Sequence, residues 1–337
     1  MTWCKTIPRG IAMRRPAILQ RPFFWIIALV IAVFFIAPTV GSDVQLRESL
    51  LLAAIYIILA SNLNVMIGYA RYVNFGSIVF FGLGGYICVY LMGAPGWPIA
   101  AAALAAGVIV SLLALLFGFG ILRLRGAYFA LATIGVNEGV KAFVTNFSPW
   151  GGSSGLYLST QLFTPLGGSM QALWTIYYLL VVVMGLSLYL TYGIKISKFG
   201  LGLQAIGQNE DAAAILGVPT RLYKALAYSA SAFLPAIAGG LYYFKSAFIQ
   251  PTDAFDLTFS TEAIAIVMLG GQGTIAGPAI GAFFYEQLRG WLLTSDTFSS
   301  FQLVVAGALL LIIVQFLPGG LMGWLHARWP HLRGIIE

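Results

Sequence analysis

Three carboxylates stand inside long apolar runs of the 337-residue chain: Glu138, Glu262 and Glu286. An ionisable side chain within a membrane-spanning segment is costly, and is therefore by default a candidate for function. Glu138 precedes Lys141 by three residues and Glu286 precedes Arg289 by three, a spacing that favours local ion pairs on one helix face. Glu262 and Glu286 also fall in an interrupted region, where a role facing a cavity, or in a proton relay, stays open.

The chain is not predicted to have a nucleotide or metal site of its own. A P-loop needs a Gly-Lys pair, which does not occur in the sequence. Residues 271–276 fit the loose dinucleotide pattern G-x-G-x-x-G/A, but that pattern requires a soluble βαβ unit. With only two histidines, His326 and His331, and two cysteines, Cys4 and Cys88, we expect no zinc, haem or disulfide framework. No cofactor is expected, so any ATP would be bound by a partner subunit.

The long charged stretch between apolar runs is the segment 194–224, and its middle predicts a short helix over 203–216. Gly217 and Pro219 would end this helix. Glu210 would be turned away from an apolar face formed by Leu203, Ile206, Ala213 and Leu216. Such a helix would lie parallel to the membrane and offer its apolar face to a soluble partner. The alternative is a solvated connector.

The composition predicts the elements that hold these residues. The chain is 60% hydrophobic and 9% charged, whereas soluble domains carry about 25% charged residues. We therefore expect an all-α, polytopic transmembrane helical bundle of about ten spans, including short Gly/Pro-interrupted segments. The predicted spans are 23–40, 49–67, 75–93, 97–121, 127–146, 172–193, 225–246, 257–270, 277–293 and 300–318.

The basic residues behind the net charge of +7 border spans instead of forming one face, which argues for membrane topology and against nucleic-acid binding. They lie in the first tail and in two loops: Lys5, Arg9, Arg14, Arg15, Arg21, Arg123, Arg125, Lys195, Lys198, Arg221 and Lys224. Both termini are then expected in the cytoplasm. The predicted organisation is a basic tail 1–22, a permease domain 23–320 with the cytoplasmic loop 194–224, and a tail 321–337.

Two glycine-rich interruptions are candidates for a transport pathway. Broken backbone at membrane depth survives only if it is buried in protein or faces a water-filled cavity. The first interruption lies within 68–85 and the second within 270–278, for which tight turns and close helix packing are the plainer explanations. The pathway candidates are Arg71, Asn74, Ser77, Glu262, Gly270, Gly271 and Gly273.

Within the segment 194–224, Asp211-Ala212-Ala213-x-x-x-Gly217 is similar to the EAA motif of ATP-binding-cassette (ABC) importer permeases, with Asp in place of the usual Glu. Its surroundings resemble the permease subunits of branched-chain amino-acid importers. The stretches that carry this resemblance are 197–200, 205–210, 218–219, 223–224, 68–70, 80–86, 125–130, 151–156 and 269–274. The likeness runs from about residue 50 to 320, with the motifs in the family's order.

The resemblance implies an ATPase-docking loop formed by Ala205, Ile206, Asn209, Glu210, Asp211, Ala212, Ala213 and Gly217. It also implies a bacterial inner-membrane location and a set of partners: a second related permease, two cytoplasmic ATPase subunits and a periplasmic solute-binding protein. Arg71, Asn74 and Ser77 depart from the family pattern, which commonly has a small residue, Ser and His there. The solute preference is therefore open within the family, whose members resemble importers of urea, amides and aromatic acids as well.

The sequence leaves three function classes. The first is the permease of an ABC importer for branched-chain amino acids or related small solutes, working by alternating access. The second is a secondary carrier coupled to protons through Glu262 or Glu286. The third is a structural membrane subunit that scaffolds a complex.

Overall fold

A computed structural model describes residues 22–40, 44–93, 95–159, 162–164, 167–294 and 319–328. The predicted span 300–318, most of the first tail and most of the last tail lie outside these residues. Thirteen α-helices make up nearly all of the described chain, which confirms the all-α prediction. The helices are α1 Pro22–Val40, α2 Val44–Asn64, α3 Ile78–Gly93, α4 Ile99–Ile121, α5 Ala127–Asn146, α6 Ser169–Ile196, α7 Lys198–Gln208, α8 Glu210–Ile215, α9 Thr220–Ser246, α10 Pro251–Ala254, α11 Leu257–Gly270, α12 Gly277–Thr294 and α13 Gly320–Arg328.

Five helical segments in the described part of the chain are long and apolar enough to cross a bilayer, which needs about 20 apolar residues. They are Gln45–Tyr69, Phe75–Gly93, Ile99–Ile121, Met170–Ile196 and Thr220–Ser246. The expected boundaries of α5, α11 and α12 agree with the structure to within a residue. The total of about ten spans stays a prediction.

The helix α9 lies at the centre of the bundle, with α3 and α4 packed along it. Glycine allows these helices to approach closely, because it has no Cβ. A Cβ at Gly84 of α3 would lie 2.1 Å from the carbonyl oxygen of Ala236, and a Cβ at Gly239 would lie 1.9 Å from that of Phe81. Large side chains at these positions would separate α3 from α9.

The chain leaves regular α-helix at two places where the sequence predicted interruptions, between α2 and α3 and between α11 and α12. A wide helical turn, Val65–Tyr69, continues α2, and a short 3₁₀ turn, Phe75–Ser77, precedes α3. Between α11 and α12 the chain forms the non-helical segment 271–276. Two short strands pair antiparallel, β1 Leu156–Tyr157 with β2 Phe248–Ile249, and β2 directly follows the C-terminal end of α9.

Candidate docking surface and interrupted spans

The polar loop folds as two short helices, α7 and α8, and not as the single helix predicted over 203–216. Asn209 breaks the helix: its backbone is extended, with φ −157° and ψ 110°. Its side-chain oxygen accepts hydrogen bonds from the backbone N–H groups of Asp211 and Ala212, each at 3.1 Å. This is a helix N-cap, which satisfies donors at the start of α8. The sequence Asn-Glu-Asp therefore starts a new helix, with its acidic residues in the favoured first turn.

The prediction that Glu210 turns away from the apolar face of the loop is wrong, because its side chain points inward, as Ala213 does, and enters a buried polar cluster. Lys224 Nζ contacts Glu210 Oε1 at 2.7 Å, and the Tyr72 hydroxyl donates to Glu210 Oε2 at 2.6 Å. Lys224 also donates to the carbonyl oxygen of Leu122 at 2.8 Å, and its side chain is only 2% exposed. These contacts join α8 to α9, to the end of α4 and to the first interruption. A buried charge requires such partners.

Arg125, in the loop between α4 and α5, contacts the N-terminal end of α8 from the solvent side. Its guanidinium bonds both carboxylate oxygens of Asp211, at 2.8 and 3.1 Å, and lies 3.4 Å from Glu210 Oε2. Hydrogen bonds and charge from Arg125 lower the pKa of the Asp211 carboxyl. Burial alone would raise the pKa of Glu210, but bonds from Lys224 and Tyr72 outweigh it and the pKa is lowered. The stabilisation that accompanies a lowered carboxyl pKa is lost only as the pH falls through that pKa. Both carboxyls therefore stay ionised near neutral pH.

The other side of α8 exposes apolar side chains. Ile215 is 87% exposed and Leu216 82% exposed, whereas Ala213 is buried under the helix. Leu216 therefore does not share a face with Ala213 as predicted. The helix ends as expected, because Gly217 has φ +87° and Val218 N–H bonds the carbonyl of Ala213 at 3.0 Å. This glycine-ended turn leaves Ile215 and Leu216 projecting from the loop.

The helix α7 packs directly on the first interruption. Leu203 and Ile206 of α7 are buried, so this part of the apolar face predicted for a soluble partner is covered within the protein itself. Gly207 is the closest contact: a Cβ there would lie 2.5 Å from the carbonyl oxygen of Tyr69 and 3.2 Å from Arg71 Cγ. Arg71 itself is exposed and has φ +58°, a conformation that costs a non-glycine residue energy. The docking-loop candidates Ala205 and Ile206 therefore lie within one helical turn of Gly207, the residue through which α7 contacts the first interruption.

The two interruptions contact each other through the Asn64 side chain and through Gly68. Asn64 Nδ2 donates to the carbonyl of Thr274 at 2.8 Å, and Asn64 Oδ1 accepts from Gly273 N–H at 2.9 Å. A Cβ at Gly68 would lie 2.4 Å from Gly273 N. Gly273 and Gly271 adopt positive φ angles of 74° and 119°, which glycine tolerates.

The remaining pathway candidates have separate roles in packing. Gly270 is a contact glycine, since a Cβ there would lie 1.9 Å from the carbonyl oxygen of Gly277. Asn74 is buried and its side chain accepts a bond from Gly76 N–H at 3.0 Å. The Ser77 and Ser260 hydroxyls lie 3.1 Å apart, which joins the start of α3 to α11.

Glu262 and Glu286 lie in one cluster with Arg289, Tyr56 and Tyr285, whereas Glu138 stands on α5. The Tyr56 hydroxyl donates to Glu262 at 2.5 Å, and Arg289 lies 3.7 Å from Glu286, as its spacing predicted. The predicted ion pair between Glu138 and Lys141 is wrong, because no ion pair joins them within the described residues. The Glu138 side chain is exposed. Glu138 instead accepts a bond from Asn137 Nδ2 at 3.3 Å.

Sequence reasoning missed the residues that anchor the loop. Arg125 and Lys224 entered only through membrane topology and the family resemblance, and Tyr72 and Asn64 were not singled out. The available indication was Lys224 itself, because it lies within the first turns of an otherwise apolar helix, where a charge needs a partner. Neither Glu210 nor Tyr72 lies within one helical turn of it, so the pairing requires the fold.

Known proteins resemble this chain over most of its length. The family described as branched-chain amino acid transport system, permease component, matches residues 45–314. The high-affinity branched-chain amino acid transport permease LivM of Escherichia coli K12 is 26% identical over 297 residues, 80% of this chain and 68% of the relative. LivM of Salmonella typhimurium is 27% identical over 292 residues, with the same shares.

Other relatives match shorter stretches. The ribose import permease RbsC of Bacillus subtilis is 36% identical over 124 residues, 35% of this chain and 38% of the relative. No solved structure matches the chain significantly. Together with the apolar helices, the matched family makes this a multi-pass inner-membrane transport subunit that works with ATPases and a solute-binding protein. The chain belongs to the family of branched-chain amino acid permease components and is a permease subunit of an ABC importer.

Proposed function

We propose that this permease carries branched-chain amino acids, or closely related small amphipathic solutes, by alternating access driven by partner ATPases. The proposed solute rests on the match to two LivM permeases, which covers 80% of the chain. The ribose and autoinducer 2 permeases match at most 55% of it. We further propose that a second related permease completes the pathway, and that both termini and the loop 194–224 are cytoplasmic.

The surface around α8 is the proposed ATPase-docking site. Ile215 and Leu216 are apolar and project from a loop outside the spans, a feature typical of contact residues. Asp211, Ala212 and Gly217 surround them, and all three are exposed. Arg125 and Lys224 join α8 to the rest of the bundle, so that a displacement of α8 by the ATPase would move the helices behind it.

The proposed coupling route runs through contacts in the structure. Movement of α7 would reach Tyr69 and Arg71 through Gly207, and then the segment 271–276 through Asn64. Packed backbone transmits small displacements because a close-packed interior has little free volume. Nucleotide-driven closure of the ATPases would thereby shift the bundle between inward-open and outward-open populations.

Reconstituted uptake tests the function. With the partner permease, ATPases and binding protein in vesicles, we expect leucine uptake that requires ATP and the binding protein and survives a proton uncoupler. Uptake by this chain alone would contradict the importer proposal. Stronger competition by urea, an amide or an aromatic acid than by isoleucine or valine would overturn the solute assignment while keeping the importer.

The same system tests the proton-coupled alternative at Glu262. We expect Glu262→Gln to leave uptake largely intact, because the amide oxygen still accepts the bond from the Tyr56 hydroxyl. Complete loss of uptake with normal assembly would favour a proton relay instead.

Negative charges introduced at residues 215 and 216 test the docking surface. We expect Ile215→Asp with Leu216→Asp to abolish stable association with the ATPases, because two buried carboxylates would need partners in an apolar contact. Co-purification of the ATPases with the tagged permease measures this. The matched control is Leu201→Asp, which replaces an exposed leucine on the outer side of α7. Normal co-purification of the double variant would exclude α8 as the main contact.

A further inference from the structure

Helix α5 has the length of a span, but its exposed side combines apolar side chains such as Leu131 with a carboxylate. It has 20 residues, and its composition keeps it out of the set of helices apolar enough to cross a bilayer. Few of its residues are buried: Phe129, Thr133, Asn137 and Val144. Glu138 stands on the exposed side, together with Gly135 and Gly139. This side of α5 is open in the described part of the chain, and a carboxylate lies at its middle.

The orientation of Glu138 is fixed by its neighbour. Asn137 is fully buried and donates from Nδ2 to the carbonyl oxygen of Phe255 at 2.9 Å. One turn earlier, the Thr133 hydroxyl accepts from Phe75 N–H at 3.2 Å. Neighbouring residues on a helix point about 100° apart. With Thr133 and Asn137 held inside, Glu138 is directed outward, about 17 Å along the helix axis from Ala127.

The two hydrogen bonds place α5 against broken backbone. Phe75 begins the short turn before α3, and Phe255 lies in the non-helical link between α10 and α11. Irregular backbone at membrane depth persists where it lines a water-filled cavity or is buried in protein. The polar side of α5 therefore packs against the first interruption and against the link between α10 and α11, and its open face points outward from them.

The open face leaves room for a solute. A Cβ at Gly135 or at Gly139 would meet no atom within 4 Å. Glu138 is flanked by these two glycines, one turn apart, so neither neighbour covers the carboxylate. A lipid-facing position for an unpaired carboxylate in mid-span is strongly unfavourable, and Lys141 does not neutralise it.

We propose that the open face of α5 borders the translocation pathway and that Glu138 binds the ammonium group of the transported solute. The proposal rests on the proposed amino-acid import and adds the residue that recognises the charged end of the solute. A carboxylate attracts an ammonium ion by charge and by charge-assisted hydrogen bonds. The glycines would allow the solute's main chain to approach the helix closely.

Water access to this face is tested with cysteines. Gly135→Cys and Gly139→Cys should be modified by a membrane-impermeant thiol reagent in the assembled importer, and saturating solute should slow the reaction. The control is Leu116→Cys, 68% exposed on α4, which should stay unmodified in lipid. In all variants Cys4 and Cys88 are replaced by Ala. Absence of modification at both glycines would place the face in lipid or in a dry interface and overturn the proposal.

Recognition of the ammonium is tested by Glu138→Gln and Glu138→Asp. We expect Glu138→Gln to raise the KM for leucine about tenfold or more, the loss of one charge-assisted bond, and Glu138→Asp to restore part of it. Binding protein docking and ATPase co-purification should stay normal. Competition by 4-methylpentanoate, which has the leucine side chain without the ammonium, should be weak in the parent and relatively stronger in Glu138→Gln.

Two outcomes would contradict this assignment. Parent-like KM and selectivity in Glu138→Gln would exclude contact with the ammonium. Loss of the second permease from the Glu138→Gln complex would assign the carboxylate to a subunit contact instead. If the parent complex takes up no amino acid at all, the proposed function fails and not only the role of Glu138, so the two failures are distinguishable.

Discussion

Lys224→Met should release the docking loop from the bundle and abolish most ATP-driven uptake. The substitution removes the ammonium that pairs with Glu210 and leaves that carboxylate without its main partner. Breaking a buried pair by removing one partner costs about 3–5 kcal/mol. We expect the lower end, about 3 kcal/mol, because Glu210 lies near the surface. Methionine fills the volume of the lysine stem, so the effect is due to the charge.

The loss should be local, and limited proteolysis measures it. We expect cleavage within 209–218 to rise strongly in Lys224→Met, because α8 would open without global unfolding. Arg221→Met is the matched control, since it removes an exposed charge one turn earlier on α9. The double variant Glu210→Gln with Lys224→Met should regain part of the resistance, because no uncompensated charge remains. Unchanged proteolysis in Lys224→Met would exclude the buried pair as the anchor of α8.

Composition and hydropathy predicted the helical bundle correctly because burial in lipid requires long apolar helices. The interruption at 271–276 was also predictable, since Gly271 and Gly273 weaken a helix locally. The break at 70–74 contains neither glycine nor proline and is shorter than the predicted region 68–85, because Gly82, Gly84 and Gly85 lie within the regular helix α3. The paired strands β1 and β2 were not, because their partners lie about ninety residues apart along the chain and two-residue strands have no periodic pattern.

The docking loop was predictable in its extent but not in its orientation. Helical periodicity grouped Leu203, Ile206 and Ala213 correctly as apolar neighbours, but all three are buried within the protein instead of being offered to a soluble partner. Periodicity gave the wrong orientation for the Glu210 side chain, because the helix break at Asn209 changes the direction of α8 relative to α7. A capping asparagine before two acidic residues was the local indication that a new helix begins. The partners Lys224 and Tyr72 come from distant segments, so only the folded chain brings them to Glu210.

Gly207→Val should separate ATP hydrolysis from transport. A Cβ at residue 207 would lie 2.5 Å from the carbonyl oxygen of Tyr69 and 3.1 Å from the carbonyl carbon of Ala70. Backbone atoms cannot turn aside as a flexible side chain can, so α7 must move away from the first interruption. Overpacking of this kind costs about 1–3 kcal/mol. The docking surface on α8 stays anchored through Lys224, so the ATPases should still bind.

The expected result is therefore a lower number of solute molecules imported per ATP, at near-normal ATPase activity and near-normal co-purification of the ATPases. Gly193→Ala is the control, because a Cβ at that helical glycine of α6 meets nothing within 4 Å. Gly207→Ala should lie between the parent and Gly207→Val. Lys224→Met should lose ATPase docking and uptake together, whereas Gly207→Val should lose only the coupling between them. Normal import per ATP in Gly207→Val would mean that motion reaches the pathway by another route, since the contact of α7 with Tyr69 would then be dispensable.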